Sequence, residues 1–351
     1  MNNKLFKVFL LGFLFLTLFV TGGCGEEQGT TGQDPVTLNL AHFFPASHPV
    51  EEELISYWTD ALYEETDGAI IIESYPGETL LNANETYESV VSGVADIGLS
   101  CFSYTRGRFP VLEAFELPGI VYNNSKSASK TAWEGIKKLD PEEIKDTKLL
   151  MVFATGPGDL FTRTPVENLD DLRNLEIRAT GLSARTLEAL GASPVGMSQP
   201  ETYEALSRGI VEGNLAPVEV LQGWRHGEVT DYLTQTPFLY NTLFFITMNL
   251  ESWESLSPEL QSTMEEVSER VHEEVALGLW DSQNESALKW AVEETGQEII
   301  TLDEPESERW IGKVMPIQEE FIAKMDEKGL PGEEIMETVK SLAEEYNNNF
   351  D

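Results

Sequence analysis

The sequence predicts an α/β protein: two lobes clamped about a cleft and joined by a long interdomain helix. Three observations predict it. From Asp34 onward, strand and helix patterns alternate. After residue 150 a second set with the same architecture follows. Between Ser257 and Gly296 a helical pattern runs on with no breaker except Gly278. With 351 residues the chain has room for two cores.

Residues 1–24 are an export segment rather than part of the fold. Lys4 and Lys7 precede the apolar run Val8–Val20, which is too short for a comfortable membrane span. The run ends in TGGC, and a polar tether occupies 25–35. TGGC resembles a bacterial lipoprotein box, with Thr21 where leucine is usual. That resemblance implies a lipid-modified Cys24 and a mature chain anchored to the cell membrane.

VTLNLAHFF then forms a strand, and PASHPVEEELISYWTDALYEETDG an amphipathic helix closed by Gly68. Leu54, Trp58, Leu62 and Tyr63 are assigned to its apolar side. AIIIESYPG is a second strand, stopped by Pro76 and Gly77; ETYESVVSGVADIGLSC is helix, turn and strand. After the loop SYTRGRFPVLEAFELPGIV a helix-rich stretch reaches about Asp146, and the strand KLLMVFAT follows. The second set contains FTR, LEIRAT, the helix SARTLEALG, PVGM, the helix QPETYEALSRG and the strand IVEGNLAP. This order predicts largely parallel sheets with helices on their faces. Residues 36–150 with about 240–275 form the first domain, and 151–239 with about 276–351 the second. One helix over about 258–296 bridges them, spanning roughly 57 Å at 1.5 Å per residue. Ligand is expected in the cleft, where strand C-termini and interdomain surfaces meet.

Composition excludes several functions. With 61 acidic against 23 basic residues the formal net charge is −38, so nucleic acid is not a partner. The glutamate excess reads as adaptation to high salt. An apolar fraction of 41% with 17 phenylalanines marks a folded globule rather than an acidic brush. Cys101 stands alone once Cys24 is set aside, so the mature chain has no internal disulfide, and its setting is that of a packing residue. The four histidines show no metal-ligand spacing, and no metal or cofactor is expected. There is no P-loop, no G-x-S-x-G and no G-x-G-x-x-G after a strand, so the chain is not read as an enzyme.

The segments ESYPGETL, SGVADIG, YTRGRFPVLEAFELPG, TPVENLDDLRNLEIR, LGASPVGMSQPETYEALSRGIVEG and MNLESWESLSPELQ, in this order, carry a resemblance. From about Val36 to about Tyr346 the chain resembles the DctP-type solute-binding proteins of TRAP (tripartite ATP-independent periplasmic) transporters. The resemblance implies a periplasmic-binding-protein-like clamp outside the cytoplasm. Such a protein captures a small organic acid and passes it to a sodium-driven TRAP permease in the membrane. It also implies that Arg178, ending the strand NLEIR, holds the solute's carboxylate. The chemistry agrees, because a guanidinium is a permanently charged planar fork that meets a carboxylate bidentately.

Two departures bear on the ligand. Gly158 stands where the sialic-acid branch has a second arginine, which argues against a ligand of that type. Ala216-Pro217 replaces a frequent Asn-Pro, so a polar contact is lost or comes from Asn214 or Glu219. The walls are assigned to Phe44, Tyr104, Phe161 and Trp224, with Tyr240 and Phe238 as weaker candidates. Arg106 and Arg108, on a loop, are candidates for a second charge facing a diacid. The ligand is first a monoacid, aromatic or branched, then a dicarboxylate, then an amine held by Glu219. A binding protein of another import or sensing system is the alternative function.

Overall fold

The structure, a computed structural model, describes residues 35–350; the export segment and Cys24 lie outside the described residues. β1 (Val36–His42) leads through a π-helical turn (Val50–Ile55) into α1 (Ser56–Glu65), β2 (Ile70–Tyr75), α2 (Thr86–Val91) and β3 (Ile97–Cys101). α3 (Ser125–Leu139) and β4 (Thr147–Ala154) come next. The second set is β5 (Asp159–Thr162), β6 (Glu176–Ala179), α4 (Gly181–Leu190), β7 (Ser193–Gly196), α5 (Gln199–Ser207), β8 (Gly213–Ala216), the single turn α6 (Val220–Gly223) and β9 (Tyr232–Gln235). The chain returns through β10 (Leu243–Asn249), α7 (Leu250–Ser255), α8 (Pro258–Glu274) and α9 (Leu279–Trp290). It ends in β11 (Glu298–Thr301), α10 (Glu304–Val314), α11 (Pro316–Glu327) and α12 (Gly332–Asn349).

Local sequence accounts for the element ends. Asn124 caps α3: its side chain accepts from Ser127 N at 2.8 Å while Ser127 Oγ accepts from Asn124 N at 3.3 Å. Ser257 caps α8 by accepting from Leu260 N at 3.3 Å, with Pro258 at the first helical position. Leu54, Trp58 and Leu62 recur every fourth residue and are buried, and Trp58 Nε1 donates to Ser268 Oγ of α8 at 3.0 Å. Tyr63 does not join them. It is 53% exposed, because one residue past Leu62 the helix has turned about 100° away from the stripe.

The chain forms two sheets. The first has order β2-β1-β3-β10-β4, and the second β11-β9-β5-β8-β6-β7. They are mixed rather than largely parallel, since β10 runs antiparallel to β3 and β4, and β5 antiparallel to β8 and β9. The reversed strands flank the crossings: residues 155–158 lead from β4 in one sheet to β5 in the other, and 236–242 lead from β9 back to β10. The crossings bond to each other, Thr155 N to Thr242 O at 3.1 Å and Gly158 N to Tyr240 O at 3.2 Å. Gly158 permits this approach. A Cβ there would lie 2.5 Å from Tyr240 Cδ1 and 2.6 Å from the Ala216 carbonyl. The absent second arginine is therefore also a close-packed backbone position.

The helix expected over 258–296 is not continuous. Val275 leaves helical geometry (φ −122°, ψ −57°), a 3₁₀ turn covers Ala276–Gly278, and α9 then resumes. The start of α3 captures what the break frees. Ser125 Oγ donates to Leu277 O at 2.9 Å, and Ser125 N donates to Asp281 Oδ1 at 2.6 Å. Gly278 leaves room for Lys126, whose Cε would lie 3.0 Å from an added Cβ.

Candidate ligand site

Arg178 sits on β6 with 2% exposure, beside Asn214 of β8 in the parallel register. Its Nε donates to Met197 O at 3.1 Å, Nη1 to Asn214 Oδ1 at 3.4 Å, and Nη2 reaches the Tyr104 hydroxyl at 3.5 Å. Among the described residues no carboxylate lies within ion-pair distance of it. A buried guanidinium held only by neutral acceptors keeps much of its desolvation cost, on the order of several kcal/mol, until an anion arrives.

The support behind Arg178 is a hydrogen-bonded chain. Asn214 Oδ1 faces the guanidinium, so Nδ2 donates to His226 Nδ1 at 3.2 Å. The other ring nitrogen, Nε2, then carries the proton and lies 3.2 Å from the Gln199 side-chain amide, whose oxygen must face it. Burial, then the nearby Arg178 charge, pushes His226 down to about 3, so it stays neutral at physiological pH. Gln199 opens α5 after the N-cap Ser198, and its N–H donates to the Tyr104 hydroxyl at 2.9 Å. Burial raises the Tyr104 phenol well above its ordinary range, so it presents a neutral hydroxyl.

Arg178 opens into a cavity of ≈20 Å³. That is room for about one water, so the walls already meet, and a larger solute enters only if they part. Phe43, Phe44 and Phe244 form an aromatic floor, with Phe43 and Phe44 stacked at 4.3 Å. Tyr104, Cys101, Thr155, Thr180, Gln199, Pro217, Glu219, Val220, Trp224, Tyr240 and Thr242 complete the walls. Burial raises the Cys101 thiol, which is therefore an un-ionised wall atom rather than a nucleophile. Thr180 and Gln199 stand where β6 and β7 give way to α4 and α5, so two helix N-termini follow parallel strand ends at the cavity.

Of the residues singled out in sequence, the structure brings Arg178, Phe44, Tyr104, Glu219, Trp224 and Tyr240 to this cavity. Asn214 is fully buried behind Arg178 and supports it without lining the space. Phe161, paired with Asn214 across β5 and β8, is buried under Val220 and Leu221 as core. Phe238 is core as well. Arg106 lies against β7, where a Cβ on Gly196 would meet its Nη2 at 2.5 Å, and it lines a separate cavity with Glu116, Gly181 and Arg185. Arg108 is bonded to Asp146 and to Glu88 (3.3 Å). Sequence reasoning passed over Phe43, Gln199, His226 and His48. A capping-box serine before Gln199 was the one local signal for these; the rest depend on tertiary contacts.

The family model for bacterial extracellular solute-binding protein, family 7 (DctP), matches residues 40–325. The chain is 27% identical over 213 residues to the 2,3-diketo-L-gulonate-binding periplasmic protein YiaO of Escherichia coli, a match over 59% of this chain and 64% of that protein. A TRAP solute-binding protein from Rhodoferax ferrireducens, solved with copurified benzoate, superimposes with a TM-score of 0.84 at 27% identity, covering 90% of this chain and all of that one. A marine metagenome TRAP solute-binding protein specific for aromatic acid ligands, solved with 3-hydroxybenzoate, also gives 0.84, at 29% identity over 90% and 99% of the two chains. The two-sheet architecture and the extent of the family match agree, and the chain belongs to the DctP family of bacterial extracellular solute-binding proteins.

Proposed function

We propose that the protein captures a small monocarboxylic acid with an aromatic or branched body outside the cytoplasm and delivers it to a sodium-driven TRAP permease. The observation that carries this is Arg178, a buried cation without a carboxylate partner among the described residues, facing an aromatic floor. Arg178 takes the carboxylate, with the Tyr104 hydroxyl beside it. Phe43, Phe44, Trp224 and Phe244 exclude water, and a drier site strengthens the charge pairing. Two of the similar structures hold an aromatic acid, benzoate in one and 3-hydroxybenzoate in the other.

The division expected at 150 falls inside β4 (Thr147–Ala154), so we take the first lobe as 36–154 with about 243–275 and the second as about 159–235 with about 276–351. They pivot on the paired crossings 155–158 and 236–242. Within that division α12 reaches back to pack on α3. Ligand shifts the closed population through contacts with both lobes, Tyr104 from one and Arg178 from the other. A lipid on Cys24 keeps the receptor at the membrane where its permease lies.

A thermal-shift screen of monocarboxylates, dicarboxylates and amines tests the assignment. Aromatic or branched monocarboxylates are expected to raise the Tm most. A rise with amines and none with any acid refutes it.

A further inference from the structure

At the part of the cavity wall formed by Glu219 and Trp224, polar groups lie beyond the aromatic floor. Glu219 is 4% exposed, and its Oε2 lies 3.3 Å from His48 Nε2. His48 Nδ1 accepts from Val50 N at 3.1 Å, so Nε2 carries the proton and donates it to Glu219. The two residues come from opposite sides of the cleft, His48 after β1 and Glu219 after β8. Gly223 allows the pair to form, because a Cβ there would stand 2.7 Å from Glu219 Oε2 and 3.2 Å from His48 Nε2. Beside them Trp224 lines the cavity, and its indole Nε1 is buried with no hydrogen-bond partner among the described residues.

Ring contacts separate this cluster from Arg178. Tyr104, which touches the guanidinium, lies 5.6 Å from Phe43; Phe43 lies 6.1 Å from Trp224; Trp224 lies 5.9 Å from His48. The cavity thus has a cationic pole and, across the Phe43 ring, a pole offering one N–H donor and one carboxylate acceptor.

We propose that Trp224 and Glu219 select acids bearing a hydroxyl group remote from the carboxylate; this rests on the carboxylate role of Arg178. A hydroxyl accepts from the indole N–H and donates to the carboxylate at once. An unsubstituted ring leaves the buried indole N–H unpaired, which disfavours it. A second carboxylate meets Glu219 as a like charge, and an ammonium leaves the N–H unanswered.

Calorimetry with benzoate, 3-hydroxybenzoate, 4-hydroxybenzoate and isophthalate on the purified protein, Trp224→Phe and Glu219→Gln tests this. At least one hydroxybenzoate is expected to bind about tenfold or more tighter than benzoate and than isophthalate. Each substitution should move the hydroxyl preference towards unity, and Glu219→Gln should also narrow the discrimination against isophthalate. Equal affinities for benzoate and both hydroxybenzoates overturn the second pole, as does a preference that survives both substitutions; either result leaves the Arg178 assignment standing. If none of the four acids binds, the second pole falls, while the Arg178 assignment is decided by the thermal-shift screen.

Discussion

The surface and the cleft of this molecule treat charge in opposite ways. On the surface Arg173 pairs with Asp170 at 2.8 Å, both side chains more than 60% exposed, and Arg225 pairs with Glu228 at 2.8 Å. Such pairs are solvated and screened and contribute about 0–1 kcal/mol each. In the cleft, Arg178 is buried and has only neutral acceptors. On the proposed reading, the contrast marks where a strongly acidic protein keeps its affinity for an anionic solute. Surface cations such as Arg173 and Arg225 are neutralised by neighbouring carboxylates, while Arg178 is placed where those carboxylates do not reach. Glu116 shows the converse device. Burial pushes its carboxyl up to about 8 while its oxygen accepts from Leu243 N at 2.8 Å, so at neutral pH it stays protonated and brings no anion into the interior.

Substituting the cleft cation should break the contrast most. Arg178→Ala is expected to weaken binding of the acid identified by the thermal-shift screen at least 100-fold, about 3 kcal/mol, in calorimetry. The same substitution should leave the chain folded and preserve or raise its melting temperature, since it removes an uncompensated buried charge.

Glu116 gives the next effect, through pH. The unfolded carboxyl loses its proton near 4.5 and the folded one near 8, so between these values the unfolded state binds fewer protons and stability falls as pH rises. Glu116→Gln should remove that decline, roughly 3 kcal/mol across pH 5–8, in urea melts. His226 works in the other direction: its unfolded value of 6.5 exceeds the folded value of about 3, so stability is lost as pH drops below 6.5 in both proteins.

Loosening the support of Arg178 comes third. Asn214→Ala removes an acceptor from Nη1 and the link to His226, and should cost about 1–2 kcal/mol of ligand affinity. Arg173→Ala, on the surface, should change stability by less than about 0.5 kcal/mol and affinity not at all.

Much of the fold was legible because the second set of strands and helices has the same architecture as the first at similar length, and some helices start at a recognisable cap such as Asn124, Ser198 or Ser257. The helical break at Val275 was legible only in part. Gly278 marks the place in sequence, but the distant Ser125 hydroxyl that takes up the freed Leu277 carbonyl is visible only in the fold. The antiparallel strands were missed for a related reason: their direction follows from crossings between sheets, while periodicity reports only which residues are apolar. In the site, Arg178 and about a third of the wall were accessible from motif and residue type. Phe161 and Asn214 were placed one layer too far forward, because strand alternation gives the face a residue points to and not what covers that face. Arg106 sits in a loop, where sequence pattern says nothing about direction.

The charge of the solute, rather than its shape, is the central claim, and it is tested most directly by comparing benzoate with benzamide in calorimetry on the unaltered protein. The two have the same ring and nearly the same volume, and only benzoate supplies the anion that Arg178 lacks. Benzoate is predicted to bind at least 100-fold more tightly than benzamide. Equal affinity for the two would contradict the assignment of Arg178 as a carboxylate anchor.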